Sequence, residues 1–367
     1  MVKPTSSRCN LKCRYCFYID KPRQPMMDDA TLELFISQHI AAQPGPEVNF
    51  AWQGGEPTLC GLAFFQRVLA LQKQYAGDKQ IHNAFQTNGI LIDDEWCRFF
   101  HENRWLVGVS LDGPADIHDA LRVNQSGKPG HYKVMEAIEM LVKHQAEFNL
   151  LVVVNRLNSQ QPERLYRYLR SLGTPFLQFI PLAEQDETGQ LSAESVQDEE
   201  WGKFLNAVFD IWVHEDIGRV YVQLFDSTLG VWRGYPSQMC AFSETCGHAF
   251  ALEANGDLYP CDRYVYPEYR LGNIHQQSLL ALNTAPEVQA FGQQKKQGLA
   301  DVCHQCLALP FCRGDCPKHR FVDGKSALCT GYHRFFTHSA PHMKAMRDLL
   351  KQHRSPMELM AMLNLSR

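Results

Sequence analysis

Cys9-Asn10-Leu11-Lys12-Cys13-Arg14-Tyr15-Cys16-Phe17-Tyr18 places three cysteines at CxxxCxxC spacing near the start of the chain. Three thiolates on one short loop can hold three irons of a [4Fe–4S] cluster, whereas a fourth would close it. Three leave one iron with an open position, and open positions are where metal sites do chemistry. The same triplet also fits a zinc knuckle lacking its fourth ligand, or three unrelated thiols.

Outward from this loop, strand and helix signals alternate. Residues 29–41 read as a helix and 48–52 as a short apolar strand. Residues 61–75 follow with helical spacing of Leu62, Phe65, Val68, Leu69 and Leu71. A strand at 81–85 precedes a helix capped by Asp93 or Asp94 and running to Phe100. A strand at 106–111 leads to a helix at 132–144, striped by Val134, Ile138, Leu141 and Val142. Residues 148–154, 163–172 and 176–180 repeat the pattern as strand, helix and strand. Repeated strand–helix units imply a parallel sheet covered on both faces. Five or six such units predict an α/β fold, a partial or full barrel, with ligand groups on loops at the carboxyl ends of its strands. Residues 184–200 are polar and acidic and read as a linker or surface excursion, before a helix at 201–214. After Met239 the texture changes, and residues 250–259 read as a β-hairpin turning on Asn255-Gly256.

The chain has 367 residues and thirteen cysteines, and eleven of the cysteines are clustered. The length favours more than one unit. An odd cysteine count in a large chain reads as metal binding rather than disulfides. Residues 1–8 are short and polar and give no secretory signal, so a cytoplasmic location is expected. The densest apolar run, residues 150–154, falls far short of the roughly 20 residues a membrane helix needs. The net charge of −4 offers no broad basic surface for nucleic acid. Cys240, Cys246, Cys261, Cys303, Cys306, Cys312, Cys316 and Cys329 divide into two sets of four, and Cys303 and Cys306 form a CxxC pair that normally shares one metal. Their spacing alone does not separate iron–sulfur clusters from zinc sites built of four cysteines. Cys60 and Cys97 fall on helices or their edges and read as packing residues.

CxxxCxxC followed by an aromatic resembles the signature of radical S-adenosylmethionine (SAM) enzymes. The resemblance implies that the open iron chelates SAM and that electron transfer cleaves it to a 5′-deoxyadenosyl radical. Gly54-Gly55-Glu56-Pro57 resembles that family's GGEP motif, whose backbone approaches the SAM amino group. Thr87-Asn88-Gly89 and Ser110-Leu111-Asp112-Gly113 resemble its next strand ends. Tyr15, Ser110 and Arg122 match positions that contact SAM, although Arg122 also reads as a surface ion-pair residue. Ala183 stands where a leucine is usual, so backbone or slight apolar contact is what carries over there.

The order of the later cysteines resembles the SPASM extension of these enzymes. It implies interleaved ligation, with Cys240, Cys246, Cys261 and Cys316 on one auxiliary cluster and Cys303, Cys306, Cys312 and Cys329 on the other. The whole chain resembles anaerobic sulfatase-maturating enzymes, which oxidise a cysteine or serine of an unfolded sulfatase to Cα-formylglycine. Three [4Fe–4S] clusters, SAM, a sulfatase polypeptide and a flavodoxin or ferredoxin-type electron donor follow from that resemblance. Asp262, after Cys261, matches the general base, though it also reads as a turn cap. Tyr18 and Gln53 flank motifs facing SAM and are candidates for the peptide pocket. The expected organisation is a partial (β/α)6 TIM-like barrel over 1–185, a linker with helices over 186–235, a SPASM domain with hairpin and closing helices over 236–340, and a helical segment over 341–367. Two other readings compete. One is a SPASM enzyme that cross-links a ribosomal peptide, and the other is a non-catalytic metal-cluster regulator.

Overall fold

The computed structural model describes residues 1–365 apart from 20, 22, 23 and 248. It forms two compact units, each assembled from separate stretches of chain. The first comprises Met1–Ser110, His118–Phe148 and Gly247–Gln293, and the second comprises Leu111–Ile117, Asn149–Cys246 and Gln294–Arg367.

In the first unit the strands Val2–Lys3, Glu47–Trp52, Gln80–Thr87 and Leu106–Ser110 lie side by side and parallel. Register runs from Glu47 opposite Gln80 to Trp52 opposite Phe85. The crossovers carry the helices Asp29–Ala42, Leu62–Tyr75 and Asp94–Glu102. Their starts are written in the sequence. Asp28 accepts from the Thr31 amide, and Asp93 accepts from the amides of Glu95 and Trp96, so Asp93 rather than Asp94 is the cap. The strands bury Val48, Phe50 and Trp52 in alternation. Trp52, Phe65, Phe85, Phe100 and Trp105 make an aromatic core, with Phe65 and Phe85 edge to face at 5.0 Å. Cys97 is fully buried, as a packing residue should be, while Cys60 is only half-buried.

Beyond Val2–Lys3 the sheet continues into the hairpin. Ala251–Glu253 pairs parallel with Val2–Lys3, placing Lys3 opposite Glu253. Asp257–Tyr259 returns antiparallel, through a turn in which Gly256 has φ +86°. Gly272–Asn273 adds an outer strand. The hairpin is the one the Asn-Gly signal announced. The strand at residues 2–3 was not foreseen, because two residues carry no periodicity.

The strands Phe148–Val154, in the second unit from Asn149 onward, Phe176–Pro181 and Tyr221–Val222 are parallel neighbours. Two long helices, Asp198–Glu215 and Cys329–Lys351, pack so closely that a Cβ on Gly202 would lie 2.8 Å from the Gly331 Cα. Asp198 accepts from the amides of Gly331 (2.7 Å) and Thr330 (3.1 Å), satisfying the start of the partner helix. The stretch read as an acidic excursion over 184–200 therefore ends inside a helix. Its acidic run 198–200 is a first turn, where negative charge is favourable. No described helix is long and apolar enough to cross a membrane.

Candidate active site

The cysteine loop is held on both flanks by backbone hydrogen bonds. On one side the Gly55 amide donates to the Ser6 carbonyl at 2.7 Å and the Glu56 amide donates to the Arg8 carbonyl at 2.8 Å. Gly55 must be glycine, because a Cβ there would lie 1.9 Å from the Arg8 carbonyl oxygen. Gly54 adopts φ +135°, which side chains avoid. On the other side the amides of Lys12 and Arg14 donate to the carbonyls of Val123 (2.7 Å) and Leu121 (2.9 Å). Gln125 adds bonds to the carbonyls of Cys9 and Leu11. The Asn88 side-chain amide donates to Asn10 Oδ1 at 2.7 Å and approaches Cys9 Sγ at 3.6 Å.

Glu56 is fully buried, and both its oxygens are used within the chain. Oε1 accepts from the Thr58 amide, the Thr58 hydroxyl and the Thr87 hydroxyl, and Oε2 accepts from the Asn88 amide at 2.8 Å. Burial raises its pKa, and these donors oppose the rise. The glutamate thus ties the end of Glu47–Trp52 to the end of Gln80–Thr87, directly beneath the loop.

The donor set fits an iron–sulfur cluster. Cys9, Cys13 and Cys16 form no disulfide and are all half-buried. Burial pushes the Cys9 thiol up to about 12, with the negative charges of Glu56, Cys13 and Cys16 adding to the effect. Three thiols gathered this way ionise together only against a strong positive charge, which a cluster of irons supplies. Arg122, expected either on the surface or at SAM, is buried and donates to the Tyr15 hydroxyl at 2.6 Å. Ser110 is buried at the end of its strand. All of these residues belong to the first unit.

Asp262 opens a short helical turn immediately after Cys261 and is partly exposed. Its carboxylate forms an ion pair with Lys3, whose side chain is buried. The Lys3 ammonium lies 4.0 Å from the centroid of the Tyr18 ring. The Tyr18 hydroxyl donates to Glu253 Oε1. Burial raises the Glu253 pKa, and bonding to Ser6 and the charge of Lys3 oppose the rise. Tyr18 is thus buried in this network, and the Gln53 amide donates to the Val2 carbonyl at 2.9 Å. Lys3 and Glu253 escaped the sequence reading.

Cys240, Cys246, Cys303, Cys306, Cys312, Cys316 and Cys329 lie in the second unit. Burial pushes Cys312 up to about 12, and Asp315, Cys329 and Cys306 contribute to the rise. Burial also raises Cys329, with contributions from Asp198, Cys303 and Cys306, so Cys303, Cys306, Cys312 and Cys329 are neighbours. Cys246 has Cys240 and Lys295 beside it. Lys295, also unforeseen, is buried, and its ammonium donates to the carbonyls of Cys240 (2.9 Å) and Ala241 (2.7 Å). Among the described residues no three His, Cys, Asp or Glu side chains converge as one ion requires. The ligands of a cubane cluster bind separate irons and stand further apart. Cys261 lies in the first unit, and Ala183 lies buried in the second.

Residues 4–169 match the Radical SAM superfamily, and residues 240–307 match SPASM, an iron–sulfur cluster-binding domain. The serine-type anaerobic sulfatase-maturating enzyme of Bacteroides thetaiotaomicron is 41% identical over 98% of this chain and 94% of its own length. This chain belongs to the anaerobic sulfatase-maturating enzymes. The cysteine-type member of the family from Clostridium perfringens is 35% identical, over 96% of this chain and 98% of its own. The solved structure of native anSMEcpe with bound AdoMet and Kp18Cys peptide is 34% identical and covers 95% of this chain and 98% of its own, with a TM-score of 0.88. Membership makes the mixed α/β fold a partial TIM-like radical SAM barrel with a C-terminal cysteine-rich SPASM region, as expected from the sequence.

Proposed function

We propose that this chain oxidises a cysteine or serine side chain in an unfolded sulfatase segment to Cα-formylglycine. The observation that carries the reading is Asp262, adjacent to Cys261 and ion-paired with buried Lys3, in a chain of this family. Cys9, Cys13 and Cys16 would hold the cluster that binds SAM. Tyr15, Gly54, Gly55, Ser110 and Arg122 would shape the SAM site, with Glu56 bracing it from below. SAM bound there supplies, on one-electron reduction, the radical that removes a hydrogen atom from the substrate Cβ.

The chain's own residues account for the rest. Oxidation to the aldehyde level removes one hydrogen atom, one proton and one electron from the Cβ–OH or Cβ–SH unit. Asp262 would take the proton, with the Lys3 cation holding its carboxylate in position. With cysteine, water then replaces sulfur. Tyr18 and Gln53 would border the peptide. Cys240, Cys246, Cys261, Cys303, Cys306, Cys312, Cys316 and Cys329 would hold two further [4Fe–4S] clusters, Cys240, Cys246 and Cys316 serving the same one, and a flavodoxin or ferredoxin-type protein would deliver the electrons.

The test is incubation of anaerobically reconstituted protein with Cys- and Ser-containing sulfatase peptides, read by mass spectrometry. Conversion to formylglycine is the expected product. An intramolecular cross-link would instead place the chain among peptide-crosslinking enzymes. The Asp262→Asn variant should still release 5′-deoxyadenosine while losing most formylglycine, and full retention would remove Asp262 from the mechanism.

A further inference from the structure

Lys295 is among the most completely buried large side chains of the molecule, with 1% of its surface exposed. A lysine so placed must be paired or donate to several acceptors. Its ammonium donates to the carbonyls of Cys240 at 2.9 Å and Ala241 at 2.7 Å. Burial lowers its pKa, and Cys246, Asp315 and Cys316, the acidic groups nearby, oppose that loss of charge. Three cysteines of one proposed cluster therefore lie about a single buried cation, Cys240 through its carbonyl, all within the second unit. Arg320 fixes the backbone around it. It donates to the carbonyls of Lys295 and Gly314, each at 2.7 Å, and of Arg313 at 3.0 Å. The helix carrying Lys295 is thereby tied to the turn that carries Cys312 and Cys316. Neighbouring Lys296 is different, being exposed and paired with Glu244 at 2.6 Å.

We infer that Lys295 is a positioning residue that raises the reduction potential of the cluster that Cys240, Cys246 and Cys316 would help to hold. The inference rests on the ligand reading given under the proposed function. A cluster ligated by thiolates gains negative charge on reduction. A cation held beside the ligands in a poorly hydrated site stabilises the reduced form more than the oxidised one. The backbone bonds serve the same end, since they prevent the ammonium from turning outward to water. The consequence for the reaction is direct. The substrate radical must give up one electron, and an iron–sulfur centre of raised potential accepts it more readily.

The experiment is an EPR-monitored redox titration of the anaerobically prepared holoenzyme, with iron and sulfide counted for each variant. Lys295→Gln keeps an amide donor for the two carbonyls and removes the charge. It should load iron as the parent does and lower the midpoint of one cluster only. The reduction equilibrium should weaken at least tenfold, which is about 59 mV for one electron. Lys295→Arg, which retains the charge, should stay within threefold of the parent. Lys296→Gln should leave all midpoints unchanged. A fully loaded Lys295→Gln variant with every midpoint unmoved overturns the inference. If Lys295→Gln fails to load, Lys295→Arg decides. Normal iron content with the parent potential shows that the cation is what the site requires, and failure of the arginine variant as well assigns Lys295 to packing and overturns the inference. A parent protein that binds no iron at the second unit would instead defeat the ligand reading, so the two failures are distinct.

Discussion

Replacing Gly55 with alanine should dismantle the floor of the proposed SAM site without touching a cysteine. The added Cβ would meet the Arg8 carbonyl oxygen at 1.9 Å, the carbonyl carbon at 2.5 Å and the amide nitrogen at 2.9 Å. Contacts under 3.0 Å are essentially never seen for a real Cβ, and the obstacle is backbone, so no rotamer relieves it. The stretch entering the cysteine loop has to retreat by roughly 1.5 Å to restore ordinary contact. Retreat breaks the bonds from the Gly55 amide to Ser6 and from the Glu56 amide to Arg8. Each is worth about 1 kcal/mol net, and overpacking strain adds about 1–3 kcal/mol. The expected loss is therefore about 3–5 kcal/mol of stability in the first unit. Urea unfolding of the apo protein measures this loss, and 5′-deoxyadenosine release by the reconstituted protein measures its effect on the site. Gly45→Ala is the control, because its Cβ meets nothing within 4 Å. A Gly55→Ala protein with parental stability and parental SAM cleavage would refute the account of the loop.

Other predictions follow from single side chains. Lys3→Met removes the cation from Asp262 while leaving the cysteine loop in place. The ratio of formylglycine to 5′-deoxyadenosine should fall several-fold, with Lys3→Arg recovering part of it; an unchanged ratio would show that the pair is only structural. His118 is fully buried, and its burial, together with the charges of Arg122 and His131, pushes its pKa from 6.5 down to about 2. The folded chain keeps it neutral while the unfolded chain binds a proton below pH 6.5, so stability falls as pH drops through that value. Between pH 7 and pH 5 the loss from this group is about 2 kcal/mol. His118→Gln should flatten the pH dependence of the urea midpoint over that range, and an unchanged slope would contradict the neutral assignment.

What could be read in advance was whatever depends on local spacing. The CxxxCxxC loop, the paired glycines and the Asn-Gly hairpin each have a short-range physical cause, and each sits where that cause puts it. The helix starts were legible too, because Asp93 caps through bonds two and three residues ahead. The acidic run 198–200 was misread as surface because charge density was weighed without its position at a helix start. Lys3, Glu253 and Lys295 were invisible for a different reason. A charged residue reads as exposed unless its partners are known, and their hydrogen-bond and ion-pair partners lie from 54 to 259 positions away in the chain. The division into units was equally hidden, since each is stitched from three segments.

The strand Val2–Lys3 pairs on one edge with Trp52 and on the other with Leu252 and Glu253. During synthesis its first edge can be filled once residue 52 is available, but the second must wait until residue 253 has left the ribosome. Closing so long a loop costs little more free energy than closing a shorter one, because the entropy grows only logarithmically. It does delay the contact, and non-local pairing of this kind is slow. The ion pair between Lys3 and Asp262 forms at this same late seam. Until the hairpin docks, the nascent chain holds its amino-terminal cysteines but not its proposed base, so the first unit becomes competent only after most of the polypeptide exists.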